Sequence, residues 1–172
     1  TNDEGRPLMQ NVSGNDTLYI SSDILKSYSE YMTDTLGIVD TMNYLIADDN
    51  VQIMRSSLQA VCDSLVYQDS DSLFLLLDDP VVWSDSSQIT GDTIKIYLAN
   101  DDFDKMEVYP KAFMTNTADL IYYNQISGKR IITSFEDGKL KTMDVIGNAR
   151  SLYYMLDEFK AYIGVNSTEC SS

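Results

Sequence analysis

Apolar and polar residues alternate along most of the chain. The alternation is clearest in TIKIYL (93–98) and KMEVY (105–109), where every second residue is apolar. A period of two residues is typical of β-strands with one buried face. Further segments with this pattern are residues 17–21, 50–54, 119–125, 130–135, 142–147 and 151–156. Turn sequences such as Asp78-Asp79-Pro80 separate the segments, so the pattern predicts an antiparallel all-β domain.

The segment 22–36 is ambiguous. Its apolar residues fall near helical spacing from Ile24 to Leu36, Ser22 is suited to cap a helix and Gly37 to end it. The four Ser and Thr residues between positions 27 and 35 weaken a helix, however. We predict strand and loop here, with a helix as the alternative.

A loose repeat accompanies the strands. Five aspartates each precede a short apolar run: Asp16, Asp23, Asp63, Asp92 and Asp119. The last three are 29 and 27 residues apart, which suggests stacked units of two or three short strands. We predict that each Asp closes the turn before its strand, a structural rather than a catalytic role.

The charge balance limits the possible partners. The chain has 172 residues, which we interpret as a single domain over 1–172, and its 12 Lys and Arg stand against 27 Asp and Glu. The resulting net charge of -15 argues against nucleic-acid binding. The longest apolar run, LFLLL (73–77), is too short to span a bilayer. The first residues, TNDEGRP, do not have the pattern of a secretion signal, so we expect any such signal to have been removed or to lie outside this sequence.

Residues that usually carry catalysis are scarce. The chain has no His and no Gly-rich phosphate loop, so we predict no enzymatic activity, no cofactor and no metal site. A glycosidase-like pair of carboxylates remains an alternative, as does a sugar-binding surface at Trp83. Cys62 is predicted to be a small buried residue, and a disulfide with Cys170 is left open.

Several ordered motifs resemble a known family. They are DPVVW (79–83), QITGDTI (88–94), NQISGK (124–129), FEDGKL (135–140) and IGVNSTE (163–169). Their order resembles that of the OstA-like proteins, relatives of the periplasmic lipopolysaccharide transport bridge. The match covers residues 48–172, and upstream only DTLYISSD (16–23) carries the pattern.

The resemblance implies a folded-over antiparallel sheet, a β-jellyroll with the cross-section of a taco, whose apolar interior shields lipid acyl chains. It implies a non-enzymatic lipopolysaccharide-binding or transport module in the periplasm or at the outer membrane of a Gram-negative cell. The expected partners are lipopolysaccharide or a similar lipid, and other transport proteins or a second copy joined through sheet edges. The chain would then be one module of a longer protein. The alternative is an envelope scaffold that assembles through the same edges.

Two strands supply the candidate lipid-binding residues. We predict that Ile94, Ile96, Leu98, Met106 and Val108 share one face and line the groove. Lys95 and Glu107 point to the other side, because neighbouring residues of a strand face opposite ways. The acidic chain offers few cations for anionic head groups, so binding would depend on the acyl chains.

Overall fold

The computed structural model describes residues 5–13, 16–33, 35, 37–84, 86–99, 102–136 and 139–170. All regular secondary structure in these ranges is β-strand, as the alternation predicted. The first eight strands are β1 (Leu8–Ser13), β2 (Asp16–Ser21), β3 (Ile24–Thr33), β4 (Val39–Arg55), β5 (Leu58–Gln68), β6 (Leu73–Leu77), β7 (Val81–Ser84) and β8 (Ser87–Thr90). The other eight are β9 (Thr93–Ala99), β10 (Asp102–Tyr109), β11 (Ala112–Thr117), β12 (Tyr123–Gly128), β13 (Arg130–Glu136), β14 (Lys139–Ile146), β15 (Ala149–Leu156) and β16 (Tyr162–Cys170).

All sixteen strands belong to one antiparallel sheet that does not close. The long strands β4 and β5 extend across the whole sheet. On either side of this pair, the other strands form two separate groups, which we call arm 1 and arm 2. Arm 1 continues from residues 64–68 of β5 through β6, β9, β10, β13 and β14. Arm 2 continues from residues 59–61 of β5 through β7, β8, β11, β12, β15 and β16. At the other end, β3 extends arm 1, whereas β2 and β1 extend arm 2.

A line of corners, called the corner line below, separates the arms. Backbone hydrogen bonds join neighbouring corners: Asp23 N–H to Asp49 O (2.9 Å), Asp63 N–H to Asp78 O (3.1 Å), Asp92 N–H to Pro110 O (3.1 Å) and Lys129 N–H to Gly147 O (2.8 Å). Several corner residues adopt positive φ: Asp49, Asn50, Asp78, Asp79, Lys111, Gly147 and Asn148. Asp, Asn and Gly tolerate this backbone conformation better than other residues, which explains the turn sequences between the strands.

The corners are also tightly packed. A side chain at Gly91 would place its Cβ 2.5 Å from Val108 Cγ1, so this corner needs glycine.

The turns within each arm lie at the opposite ends of the strands. We call this side of the interior the mouth.

The structure decides the ambiguous segment 22–36 and corrects one predicted strand. Residues 24–33 form strand β3, as predicted, and pair along their whole length with β4. The predicted strand 119–125 is wrong at its start, because residues 118–122 form a turn and β12 begins at Tyr123. The Asp119 carboxylate accepts hydrogen bonds from the N–H groups of Ile121 and Tyr122, which occupies backbone donors that a strand would pair.

The repeated aspartates fall into two groups. Asp23, Asp63 and Asp92 lie on the corner line, and their N–H groups bond the neighbouring corner. Asp16 and Asp119 lie on the mouth side and act through their carboxylates. The predicted structural role fits both groups, but a single sequence pattern covers two different turns.

Candidate functional site

The strand register places the predicted groove residues on one face. In the antiparallel pair of β9 and β10, Ile94 lies opposite Val108 and Ile96 opposite Met106. These four side chains are buried, and Leu98 is half-buried. The register also pairs Lys95 with Glu107 on the outer face. Lipid binding by the five inner residues stays a prediction.

The inner face of arm 1 is apolar across its strands. The row nearest the corner line consists of residues paired in register: Ala47, Leu65, Leu76, Ile94, Val108, Ile131 and Val145. The next row towards the mouth contains Leu45, Tyr67, Phe74, Ile96, Met106, Thr133 and Met143. Two residues of these rows carry a hydroxyl, Tyr67 and Thr133, and Thr133 Oγ1 donates to the Met106 carbonyl at 3.4 Å.

Arm 2 presents a matching row. Its members are Met9, Ile20, Ile53, Ala60, Val82, Ile89, Met114 and Ile126. Beyond Ile126 the row becomes polar, with Ser151 on β15 and Thr168 on β16. The buried residues of both arms form one hydrophobic cluster. The two inner faces therefore share a common core.

A cavity of about 60 Å³ lies between the arms. Arm 1 contributes Ile96, Phe103 and Met106 to its lining, and arm 2 contributes Leu58, Ile89 and Met114. The lining is mostly apolar. Since an engineered cavity of about 150 Å³ accepts benzene, this space is too small for an acyl chain without movement of the arms.

Arg55 connects the arms at the mouth. A smaller cavity of about 20 Å³ there is lined by Arg55, Ile96, Leu98 and Phe103, among others. Arg55 Nε lies 2.8 Å from the Asp16 carboxylate of arm 2, while its guanidinium carbon lies 5.1 Å from the centre of the Phe103 ring of arm 1. The ion pair lowers the pKa of Asp16 to about 2. The charged group thus covers the apolar space where it opens.

Sequence reasoning missed Phe103 and the lining from arm 2. Simple alternation from Met106 and Val108 would place Asp104 on the inner face, but the register shifts between Phe103 and Lys105. This irregularity turns Phe103 inwards, opposite Leu98. Residues of arm 2 were missed because a single sequence does not reveal which strands face each other. The FEDGKL motif (135–140) gave one signal, since its Phe135 and Leu140 both line the cavity of about 60 Å³.

The outer face of arm 1 carries a cluster of charges and tyrosines. Glu107 is buried beneath Lys105, whose Nζ lies 2.8 Å away, and also pairs with Arg130. Burial alone would raise the pKa of Glu107, but the hydrogen bonds from Lys105 and Arg130 outweigh it and the pKa is lowered. The Lys105 ammonium also lies 4.3 Å from the Tyr97 ring. This cluster fixes the outer face and is separate from the cavities.

Other candidate chemistry finds little support in the described ranges. The carboxyl groups with a shifted pKa are Asp16, Asp23, Glu107 and Asp119, and all shift downward. A catalytic general acid needs the opposite shift. Within the same ranges, no group of three or more Cys, Asp and Glu side chains is placed to hold a metal ion.

The two cysteines and Trp83 have distinct surroundings. Cys62 is buried, as predicted, and burial raises the pKa of its thiol to about 12. Cys170 is an exposed free thiol, so the two do not pair in this structure. Trp83 lies in β7, partly exposed on the outer face, and its indole N–H donates to Gln88 Oε1 at 3.1 Å.

Comparison with protein-family models, with curated proteins and with solved structures finds no match. In the part of the chain that the structure describes, no helix is long and apolar enough to cross a membrane.

Proposed function

We propose that the protein is a non-enzymatic module that binds the acyl chains of lipopolysaccharide or a similar lipid between its two arms. The observation that carries the proposal is the apolar inner face of each arm, which continues from strand to strand and opens at the mouth. The resemblance to OstA-like proteins adds the setting, the periplasm or outer membrane of a Gram-negative cell. Lipopolysaccharide transport and outer-membrane biogenesis are the corresponding processes.

In this proposal the sheet is the folded-over β-jellyroll, or β-taco, of the OstA-like type. Two features support it. The chain passes between the arms at successive corners that are hydrogen-bonded to each other. Residues of both arms also surround the same cavities.

Lipid uptake requires the arms to separate at the mouth. The space of about 60 Å³ does not accept an acyl chain as it stands. Phe103, Phe135 and Leu140 lie on the mouth side of this space and are only partly packed, so they can give way more cheaply than the residues at the corner line. Each methylene that leaves water contributes about 0.8 kcal/mol, so several buried acyl chains would offset the cost of opening.

The charge of the protein determines which part of the lipid is recognised. With a net charge of -15, the surface as a whole repels anionic head groups. The acyl chains must then supply the affinity, with the sugars and phosphates outside in water. Binding should accordingly persist at high ionic strength.

Photocrosslinking tests this arrangement with a matched pair of positions. p-Benzoylphenylalanine at Phe103 would face the cavities, whereas the same residue at Tyr97 would lie on the outer face beside Lys105. Both sites are aromatic and lie in the paired strands β9 and β10 of arm 1. We expect purified lipopolysaccharide to crosslink at Phe103 at least about tenfold more than at Tyr97. Equal labelling, or none at Phe103, would reject the lipid-binding interior.

Two substitutions that each introduce a negative charge extend the same test. Ile96→Asp puts a carboxylate against both cavities and should abolish crosslinking at Phe103. Lys95→Glu changes the outer face of the same strand and should leave crosslinking nearly unchanged. Denaturation midpoints of both variants, measured in parallel, separate loss of binding from loss of folding.

The envelope scaffold remains a second candidate, and two observations favour it. The interior is largely filled, and the described residues at the sheet ends, in β1, β3, β14 and β16, each pair with a strand on one side only. Unpaired edges can add a strand from another chain. Concentration-dependent association in sedimentation velocity, together with no crosslink at Phe103, would select this function.

A further inference from the structure

Two neighbouring turns at the mouth end of arm 2 expose large apolar side chains. Residues 118–122 connect β11 with β12, and residues 157–161 connect β15 with β16. Leu120 is 77% exposed, Ile121 71% and Phe159 82%. We call these segments the apolar turns.

The first apolar turn is held by its own polar side chains. The Asp119 carboxylate accepts hydrogen bonds from Ile121 N–H at 2.9 Å and Tyr122 N–H at 3.1 Å. Thr117 Oγ1 accepts one from Leu120 N–H at 2.9 Å. Because the polar groups satisfy the backbone, the apolar side chains are left pointing to solvent in an ordered turn.

The second turn is built in the same way and joined to the first. The Asp157 carboxylate accepts hydrogen bonds from Phe159 N–H at 2.9 Å and Ala161 N–H at 2.8 Å. The Tyr162 hydroxyl donates to the Asp119 carboxylate at 2.6 Å. The three exposed apolar residues therefore belong to one connected structure.

Tyrosine rings lie at the base of the apolar turns. The Tyr122 ring centre is 4.3 Å from that of Tyr162 and 4.9 Å from that of Tyr154. Tyrosine is an amphipathic side chain that favours the level of lipid head groups. Apolar tips above tyrosine rings match the layering of a lipid surface.

Other turns on the mouth side have a different composition. The turn between β4 and β5 is Ser56-Ser57, and the connection 69–72 reads Asp-Ser-Asp-Ser. Exposed apolar tips are thus absent from these two connections, whereas the connection between β3 and β4, in arm 1, exposes Ile38. A monomer in water gains nothing from three large apolar side chains in adjacent turns, which points to an occupant.

We propose that the apolar turns insert into the surface of a neutral or zwitterionic lipid layer and dock the mouth of arm 2 on it. The three tips offer roughly 400 Å² of apolar area, and Leu156 and Ile163, which flank the second turn in sequence, are exposed as well. A lipid layer is the occupant that also suits the tyrosine rings at the base of the tips, and each inserted side chain adds to binding independently. The proposal does not require the interior to bind lipid.

The charges in the turns select the type of lipid. They contain three acids, Asp119, Asp157 and Glu158, and one cation, Lys160. Anionic lipids are usually recognised by clusters of Lys and Arg, which these turns lack. Docking should therefore be independent of salt and should not increase with anionic lipid.

Co-sedimentation of the full chain with phosphatidylcholine vesicles tests the proposal. Ile121→Ser and Phe159→Ser should each weaken binding about fivefold, and the double variant about 25-fold, since each removes one inserted side chain. Ile38→Ser is the matched control, because Ile38 is another isoleucine exposed in a strand connection (62%) but lies in arm 1 between β3 and β4. It should leave binding unchanged.

Three outcomes would overturn the inference: no binding by the unaltered chain, equal losses in Ile121→Ser and Ile38→Ser, or binding that grows with phosphatidylglycerol content. A fourth would assign the apolar turns to a second copy, namely self-association in sedimentation velocity that Phe159→Ser abolishes while vesicle binding is unchanged. Lipopolysaccharide crosslinking at Phe103 is measured without vesicles. Failure of the docking proposal and failure of the lipid-binding interior are therefore distinguishable.

Discussion

The corner side and the mouth side of the interior are built from the same kind of strand but packed differently. Next to the corner line, Leu76, Ile94 and Val108 are fully buried. Towards the mouth, Leu98 and Phe103 are partly buried and border cavities. One sheet thus combines a closely packed region next to the corners with a less closely packed region towards the mouth.

The covalent connections explain the difference. At the corners the chain passes directly from one arm to the other, so the inner faces are held together there. Farther from the corners, contact between the arms depends on side chains alone. Voids and partly exposed aromatic rings occur on this side, where a guest molecule would separate the arms at the lowest cost.

Truncation of one residue from each side should give the largest contrast. Ile94→Ala removes a fully buried side chain and should lower the free energy of unfolding by about 3 to 4 kcal/mol. Leu98→Ala, in the same strand, should cost about 1 kcal/mol because its site is already open. Urea denaturation of both variants measures the difference. Equal losses would show that the mouth is packed like the corner and would remove the basis for a flexible interior.

Variants on the outer face measure how much charge interactions, as distinct from packing, stabilise the corner side. Glu107→Gln leaves the shape of the buried side chain but removes the charge that pairs with Lys105 and Arg130, and should cost about 2 kcal/mol. Glu136→Gln is the control, because the Glu136–Lys141 pair is exposed on both sides and should contribute less than about 0.5 kcal/mol. Thermal melting at neutral pH compares them, and similar effects would mean that burial does not strengthen the Glu107 pairs.

Much of the strand content was predictable from the sequence. Ile94, Ile96, Met106 and Val108 share a face because residues two apart in a strand must do so. The same rule failed at Phe103, where the shift in register reverses the alternation. Periodicity describes a regular strand and cannot show where a strand becomes irregular.

The apolar turns show a second limit. The run Leu120-Ile121-Tyr122 has the composition of a strand, yet hydrogen bonds to Asp119 and Thr117 make it a turn. The apolar composition predicted a strand over 119–125, whereas Leu120 and Ile121 lie exposed in a turn. The order of the strands was equally beyond reach, because pairings such as that of β6 with β9 join segments that are distant in sequence.

The ion pair between Arg55 and Asp16 gives the last prediction, which is that acid weakens the contact between the arms at the mouth. The Asp16 carboxylate has a pKa of about 2 in the folded protein, against 3.8 for the free side chain, mainly because Arg55 donates to it. A lowered pKa stabilises the folded state above pH 3.8, and this contribution is lost as the pH falls from 3.8 through 2.

Asp16→Asn should therefore cost about 1 kcal/mol at pH 7, a value limited by the partial exposure of the carboxylate, and much less at pH 2.5. Asp92→Asn is the control from the corner line, where the carboxylate meets the exposed Lys111, and it should cost less than about 0.5 kcal/mol at pH 7. Urea midpoints at pH 7, 4 and 2.5 provide the measurement. If the cost of Asp16→Asn were the same at all three values, the side chain would act through its hydrogen bonds to Thr17 and Ser56 rather than through charge. The mouth would then lack a charge-dependent contact between the arms, and opening for a lipid would be insensitive to pH.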